Sequence, residues 1–271
     1  MQFVDTHCHI QDVVEHMKQA NWLKRYEQAG SPTPEMLLAS AQAAGVTRLI
    51  CVGTTLGDSV TATDFAAAHT GAWASIGLHP HEAKKYAGDS AALDQFAALA
   101  AKPKVVAIGE CGLDYFYTHS DKEDQIKILR FQIELALKHD LPMIFHVREA
   151  FDDFWPIFDE YPGIRGVIHS FSSNEQDLEQ ILRRGLHVGL NGIMTFTKDP
   201  AQLAAAKAVP LDKLVLETDA PFLTPTPYRG RMCEPKHVSI TAAFLAELRG
   251  ESNELLAIRT TENARRLFGL E

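Results

Sequence analysis

Cysteine is scarce in this 271-residue chain: Cys8, Cys51, Cys111 and Cys233 are its four, and no two form a C-x-x-C pair. That spacing argues against a zinc knuckle and a disulfide framework, so four reduced thiols are expected. Long hydrophobic runs are missing as well. Nothing approaches the roughly 20 apolar residues that cross a bilayer, and Ala-rich stretches such as "FAALAAK" are soon broken by charge. No G-x-G-x-x-G follows a strand-like run, so a dinucleotide-binding fold lacks its fingerprint. Positive charge is in deficit, with 26 Lys and Arg against 35 Asp and Glu and a formal net charge of −9. Nonspecific nucleic-acid binding rests on neutralising phosphates, so a broad duplex-binding surface is not expected. A phosphodiester substrate would have to be held locally, by metal ions and a few arginines. The first strand-like run begins at residue 3, which leaves no room for a charged and apolar leader; a cytoplasmic protein is expected.

What is present is ordinary globular material, 46% hydrophobic and 23% charged, arranged in a regular order. Eight short apolar runs read as strands: "FVDTHCHI", "RLICVGT", "WASIGLHP", "VVAIGECGLD", "PMIFHV", "GVIHSF", "HVGLNG" and "LVLETD". Their near-continuous hydrophobicity suits parallel strands buried on both faces, with helices as crossovers. One such helix is predicted over residues 121–139, with Asp121 as N-cap and Asp124 in the first turn. Its apolar positions Ile126, Leu129, Ile133 and Leu137 recur at spacings of three and four, with Ile128 on the flank. Eight β/α repeats in one chain of this length point to a (β/α)8 TIM barrel, a single domain over residues 1–271. The connection after the first strand, residues 11–35, is unusually long and should contain a short helix.

Polar residues interrupt these apolar runs near the strands' C-terminal ends, where barrel active sites are built. His7 and His9 share one face of the first strand, with Asp5 one step behind. His79 ends the third strand, Glu110 the fourth, His146 the fifth, His169 the sixth and Asp219 the eighth. Each alone has a structural explanation, as a loop cap or a hydrogen-bonded buried histidine. Together they would be costly to bury unless a cation bound them. Four histidines and two carboxylates suffice for two divalent ions sharing a bridging carboxylate, an arrangement that activates water for attack on a phosphodiester or acyl group. The mixture of imidazole and carboxylate leaves the identity of the metal open.

The stretches "DTHCH", "GLHPHE", "GECGLDY" followed by "QIKILRFQIELA", "PMIFHVRE", "IHSFS", "LETDAPFLTP" and "RGRMCEPKHV" resemble the TatD family of metal-dependent hydrolases along the whole chain. The resemblance implies an α/β barrel that hydrolyses DNA with two divalent ions (Mg2+, Mn2+ or Zn2+), typically as a 3′–5′ exonuclease, with DNA or an oligonucleotide as partner and no membrane. Carried over by motif, His7, His9 and Asp219 would bind one ion, His146 and His169 the other, and Glu110 would bridge them. Asp219 would also accept the proton of the attacking water, and His79 would contact the scissile phosphate or its water. Asp5 and Glu217 either orient the metal ligands or are buried hydrogen-bonded carboxylates. Arg148, Arg229 and Arg231 either grip phosphate or serve in surface ion pairs. Cys8 and Cys111 alternate away from the ligands and are expected to be packing residues. Two features depart from the family: the long first connection, which would partly cover the barrel mouth, and Met232 and Cys233 where a polar Asn is usual. The wider family also suggests deacylation of a D-aminoacyl-tRNA, and a metal-loaded binding protein is the non-enzymatic alternative.

Overall fold

The computed structural model describes residues 1–18 and 20–271. All eight expected strands form: β1 (Phe3–Cys8), β2 (Val46–Val52), β3 (Ala72–Ile76), β4 (Val105–Asp114), β5 (Met143–Arg148), β6 (Gly166–Ile168), β7 (His187–Leu190) and β8 (Leu214–Leu216). They follow one another in chain order in one sheet. Every residue of β1 and of β4 is buried, as parallel strands covered on both faces require. The chain folds as two compact units, residues 1–50 with 170–271 and residues 51–169.

In the first unit, β7 and β8 pair in parallel, and β1 lies beside the end of β8. The Asp219 amide donates to His7 O at 2.8 Å and the His9 amide to Ala220 O at 2.7 Å. The backbone around the two histidines is therefore fixed to the backbone around Asp219. The long first connection does contain helix, at Val13–Met17 and Ala20–Gln28, before the helix Pro34–Ala43 that Thr33 caps. Edge-on ring contacts fold this connection toward the strand ends: His16 lies 5.6 Å from His9, and Trp22 lies 5.2 Å from Phe222.

In the second unit, β3 to β6 pair in parallel. Glu110 does not end β4, as the sequence suggested, but sits inside it, because the strand runs on to Asp114. The register of β4 on β5 shifts between Ile108 and Cys111, a bulge that re-aims the intervening Glu110 side chain. Gly112 follows at φ +149°, and a Cβ there would stand 1.9 Å from His146 O, so only glycine lets the two backbones approach so closely.

The helix Lys122–His139 forms with Asp121 before it, but its buried face is rotated from the expected stripe. Ile128, Leu129 and Ile133 are buried, while Leu137 is exposed and Ile126 only half-buried. Two glutamines take the places that the apolar pattern gave to others. Gln125 Oε1 accepts from Asp114 N at 2.9 Å, and its Nε2 donates to Asp114 O and Ser120 O. Gln132 does the same for Leu78, accepting from N at 2.8 Å and donating to O at 3.0 Å. Where strands end inside the protein, their backbone groups need partners, and these buried amides supply them.

Candidate functional site

His7 is carried by β1 and His9 by the residue just beyond it, so that both rings point the same way. Their Nε2 atoms stand 3.1 Å apart. Asp219 joins them from the turn after β8, held at φ +60°, a left-handed conformation that Asp tolerates. Its Oδ1 lies 3.3 Å from His9 Nε2 and 3.6 Å from His7 Nε2. Three lone-pair donors thus form a triangle with edges of 3.1–3.6 Å. Ligands about 2.1 Å from a divalent ion stand about 3.0 Å apart in an octahedron and about 3.4 Å apart in a tetrahedron. The residues therefore fit a divalent cation by spacing as well as by donor type.

Behind this triangle, Asp5 is fully buried and accepts from Thr218 N at 2.9 Å, Thr218 Oγ1 at 2.6 Å and, more weakly, His7 N at 3.3 Å. It ties the ligand-bearing backbones together. Burial pushes its carboxyl up to about 8 against the pull of those hydrogen bonds, with the Glu217 charge adding to the rise. Glu217 is buried too, its Oε1 accepting from Ser170 N at 2.6 Å and Asn191 Nδ2 at 3.3 Å.

A second gathering of donors lies within residues 51–169. Glu110 Oε1 has His146 Nδ1 at 2.8 Å, His79 Nε2 at 3.4 Å and His169 Nε2 at 3.5 Å. His79, Glu110 and His146 have ligand atoms close enough to share an ion. Yet His79 Nδ1 accepts from His81 N at 3.2 Å, which assigns the ring proton to Nε2 in the neutral form. Burial lowers the His79 pKa to about 4, although Glu110 beside it acts in the opposite direction. A neutral His79 therefore presents an Nε2–H on the side of Glu110 Oε1, 3.4 Å away, a donor suited to an oxyanion.

Asp114 was not singled out from the sequence, although it lies on the face of β4 that Glu110 and Gly112 share. Its Oδ2 is 2.9 Å from both His146 Nε2 and His81 Nε2. Burial opposes its ionisation, but the hydrogen bonds of His146 and His81 hold it far below the usual carboxylate range. Burial likewise disfavours charge on His146, and the flanking Asp114 and Glu110 outweigh it and raise that pKa. A carboxylate behind a ring nitrogen is the common means of orienting a metal-ligating histidine.

The matching family model, TatD related DNase, covers residues 4–269. The chain belongs to the TatD-related DNase family. Among its relatives is the 3′-5′ ssDNA/RNA exonuclease TatD of Cronobacter sakazakii, 36% identical over 241 residues, or 86% of this chain and 90% of that protein. Another is the Bacillus subtilis metal-dependent hydrolase YabD, 35% identical over 236 residues, 86% and 92% of the two chains. The crystal structure of the TatD homolog YJJV from Escherichia coli k12 superposes with a TM-score of 0.86 at 29% identity, over 99% of this chain and 98% of that one. The shared fold is the α/β barrel of eight parallel strands expected from the apolar runs.

Within this family fold the three arginines have different surroundings. Arg148, at the end of β5, is exposed, its guanidinium over the rings of Phe116 and Tyr117 at 4.1 and 4.8 Å. Arg229 donates to Thr224 O at 2.8 Å and lies 3.7 Å over Phe196, so its fork already serves the loop after β8. Arg231 lines a separate cavity of about 820 Å3 with Arg25, Lys236 and Tyr228. Met232 and Cys233 are buried, the Cys233 amide donating to Pro221 O at 3.0 Å. Cys8 and Cys111 donate toward the carbonyls of Ile50 and Ile144, as packing residues do. All four cysteines are free, and among the described residues no helix is long and apolar enough to cross a membrane.

Proposed function

We propose that this protein is a divalent-metal-dependent hydrolase that removes nucleotides from the 3′ end of single-stranded DNA, and of RNA where its relatives do so. His7, His9 and Asp219 would hold one ion, and His146 and His169 with Glu110 another. The observation that carries the reading is the donor triangle of His7, His9 and Asp219, spaced for a cation in a chain whose relatives include named exonucleases. Bound cations would polarise the phosphodiester and acidify a water molecule. The protein's own residues would do the rest. Asp219 is the member of its triangle most open to solvent, 16% against 0% for His7 and 5% for His9, so it can take up the proton of the attacking water. His79 would donate Nε2–H to a phosphate oxygen. Arg148 would neutralise a neighbouring phosphate, which matters in a chain of net charge −9. Four free thiols suit a reducing, cytoplasmic setting.

The test is degradation of single-stranded DNA and RNA oligonucleotides labelled at either end, with Mg2+, Mn2+ or Zn2+, by the wild type and Asp219→Asn. Mononucleotide release from the 3′ end, lost in Asp219→Asn, is expected. Turnover of a D-aminoacyl-tRNA in place of the oligonucleotides would replace the reading with a deacylase, and metal uptake without hydrolysis of either would make the protein a binding protein.

A further inference from the structure

Phe116 and Tyr117 sit just after β4, 49% and 42% exposed, edge to face at 4.7 Å. Two adjacent large aromatic side chains thus leave nearly half of their surface open to solvent. Arg148 lies over both rings, and His119 stacks on Tyr117 with centroids 5.9 Å apart and planes 20° apart. The patch is nevertheless held in place. Asp114 Oδ1 accepts from the amides of Phe116 at 3.0 Å and Tyr117 at 2.9 Å, while Oδ2 of the same carboxylate meets His146 Nε2 at 2.9 Å. Further along, Ser120 Oγ donates to His81 O at 2.8 Å, and Gln125 Nε2 donates to Ser120 O at 2.9 Å. One buried carboxylate therefore sets the distance between an aromatic surface and a ring that the proposed function assigns to a metal.

We infer that Phe116, Tyr117 and Arg148 form a nucleobase-stacking subsite, on which the base of a nucleotide at the cleaved end lies while the guanidinium meets its phosphate; this rests on the nucleic-acid reading above. The chemistry of the patch selects a base over other flat ligands. Ring faces attract any π surface, and a guanidinium that already stacks on them can turn its fork to the phosphate joined to the stacked base through its sugar. Main-chain Phe116 and Tyr117 amides are taken by Asp114, so they do not read base edges. It should accept all bases with little preference, as an enzyme that shortens strands of any sequence requires.

The experiment uses the full chain with Mg2+ and a short single-stranded oligonucleotide ending in 2-aminopurine, its last linkage a phosphorothioate to slow cleavage. A second probe has an abasic residue at the same end. The variants are Phe116→Leu and Tyr117→Leu, which keep apolar bulk and remove the ring at exposed positions. Wild type should quench the 2-aminopurine fluorescence on binding and prefer the base-bearing probe. Each variant should lose quenching and bind that probe at least about fivefold more weakly, the lower end of what one base–aromatic stack contributes, while binding the abasic probe and Mn2+ as wild type does. Variants that quench and bind both probes as wild type does, or a wild type that does not distinguish the probes, overturn the subsite. Quenching by wild type without release of nucleotides would refute the exonuclease and leave the subsite standing; nucleotide release that both leucine variants preserve with unchanged KM would do the reverse.

Discussion

Replacing Asp114 by Asn tests how the protein prepares His146 for a cation. His146 has a carboxylate on each side, Glu110 Oε1 at 2.8 Å from Nδ1 and Asp114 Oδ2 at 2.9 Å from Nε2. With no cation bound, the two carboxylates favour a proton on each nitrogen, and this raises the pKa of the ring against the effect of burial. A cation that takes Nδ1 must displace one proton, and Asp114 keeps the other on Nε2, the tautomer that ligation needs. In Asp114→Asn the oxygen stays under the Phe116 and Tyr117 amides, so the new NH2 replaces Oδ2. That group donates, and it is best met by an unprotonated Nε2. The ring proton then moves to Nδ1, where the lone pair is wanted. Loss of such an orienting carboxylate lowers metal affinity about 10- to 100-fold, which is about 1.4–2.7 kcal/mol. Isothermal titration with Mn2+ should show this weakening, with fewer protons released per ion, while circular dichroism shows an intact fold. An affinity within twofold of wild type would refute the assignment of Asp114 to the His146 tautomer.

Three further substitutions address the frame that carries these residues. Gln132→Leu leaves the buried Leu78 N–H and C=O without their amide partner; at about 1–3 kcal/mol per group and about 2–4 °C per kcal/mol, thermal denaturation should show Tm lower by about 4–24 °C. Gly112→Ala places a methyl 1.9 Å from His146 O, so it should lower Tm severely or prevent soluble expression, whereas Gly88→Ala, with nothing within 4 Å, should stay close to wild type. Asp5→Asn bears on pH. In EDTA the folded protein keeps Asp5 protonated up to about 8 while the unfolded chain ionises near 3.8. The unfolded state therefore binds fewer protons between those values, and wild-type stability falls as pH rises through that window. Asn, neutral throughout, removes this loss: urea denaturation should show Asp5→Asn gaining on wild type between pH 4 and pH 8, by up to about 5 kcal/mol at about 1.4 kcal/mol per pH unit. Parallel stability profiles for the two proteins would refute a protonated Asp5.

The strands were legible because burial on both faces leaves an uninterrupted apolar run, and the ligand candidates because polar residues stand out at the ends of such runs. The same rule misplaced Glu110. Its run continues through "CGLD", and only the register shift on β5, invisible in one sequence, shows where the bulge lies. Asp114 lies on the face that period two from Glu110 marks, but only its partners, His146 and His81, show what it does. The helix Lys122–His139 shows the limit from the other side. A stripe drawn through apolar residues puts Leu137 inside, whereas the buried face is shared with Gln125 and Gln132. A buried polar residue is invisible to hydrophobic periodicity, because periodicity assumes that what is inside is apolar. The exception arises wherever a strand stops short of the surface and its last amide and carbonyl need partners. In this fold those stops are also where Asp114 and His79 lie, so amides that complete the backbone and a carboxylate that orients histidines occupy the same few turns. Residue type alone does not separate the two duties; the partner of each polar atom does. Gln132 meets Leu78 N and O and belongs to the frame, whereas Asp114 meets the backbone with one oxygen and His146 with the other. Through that divided carboxylate, a displacement of the Phe116 and Tyr117 amides would reach the ring of His146, whereas a change confined to their side chains would not.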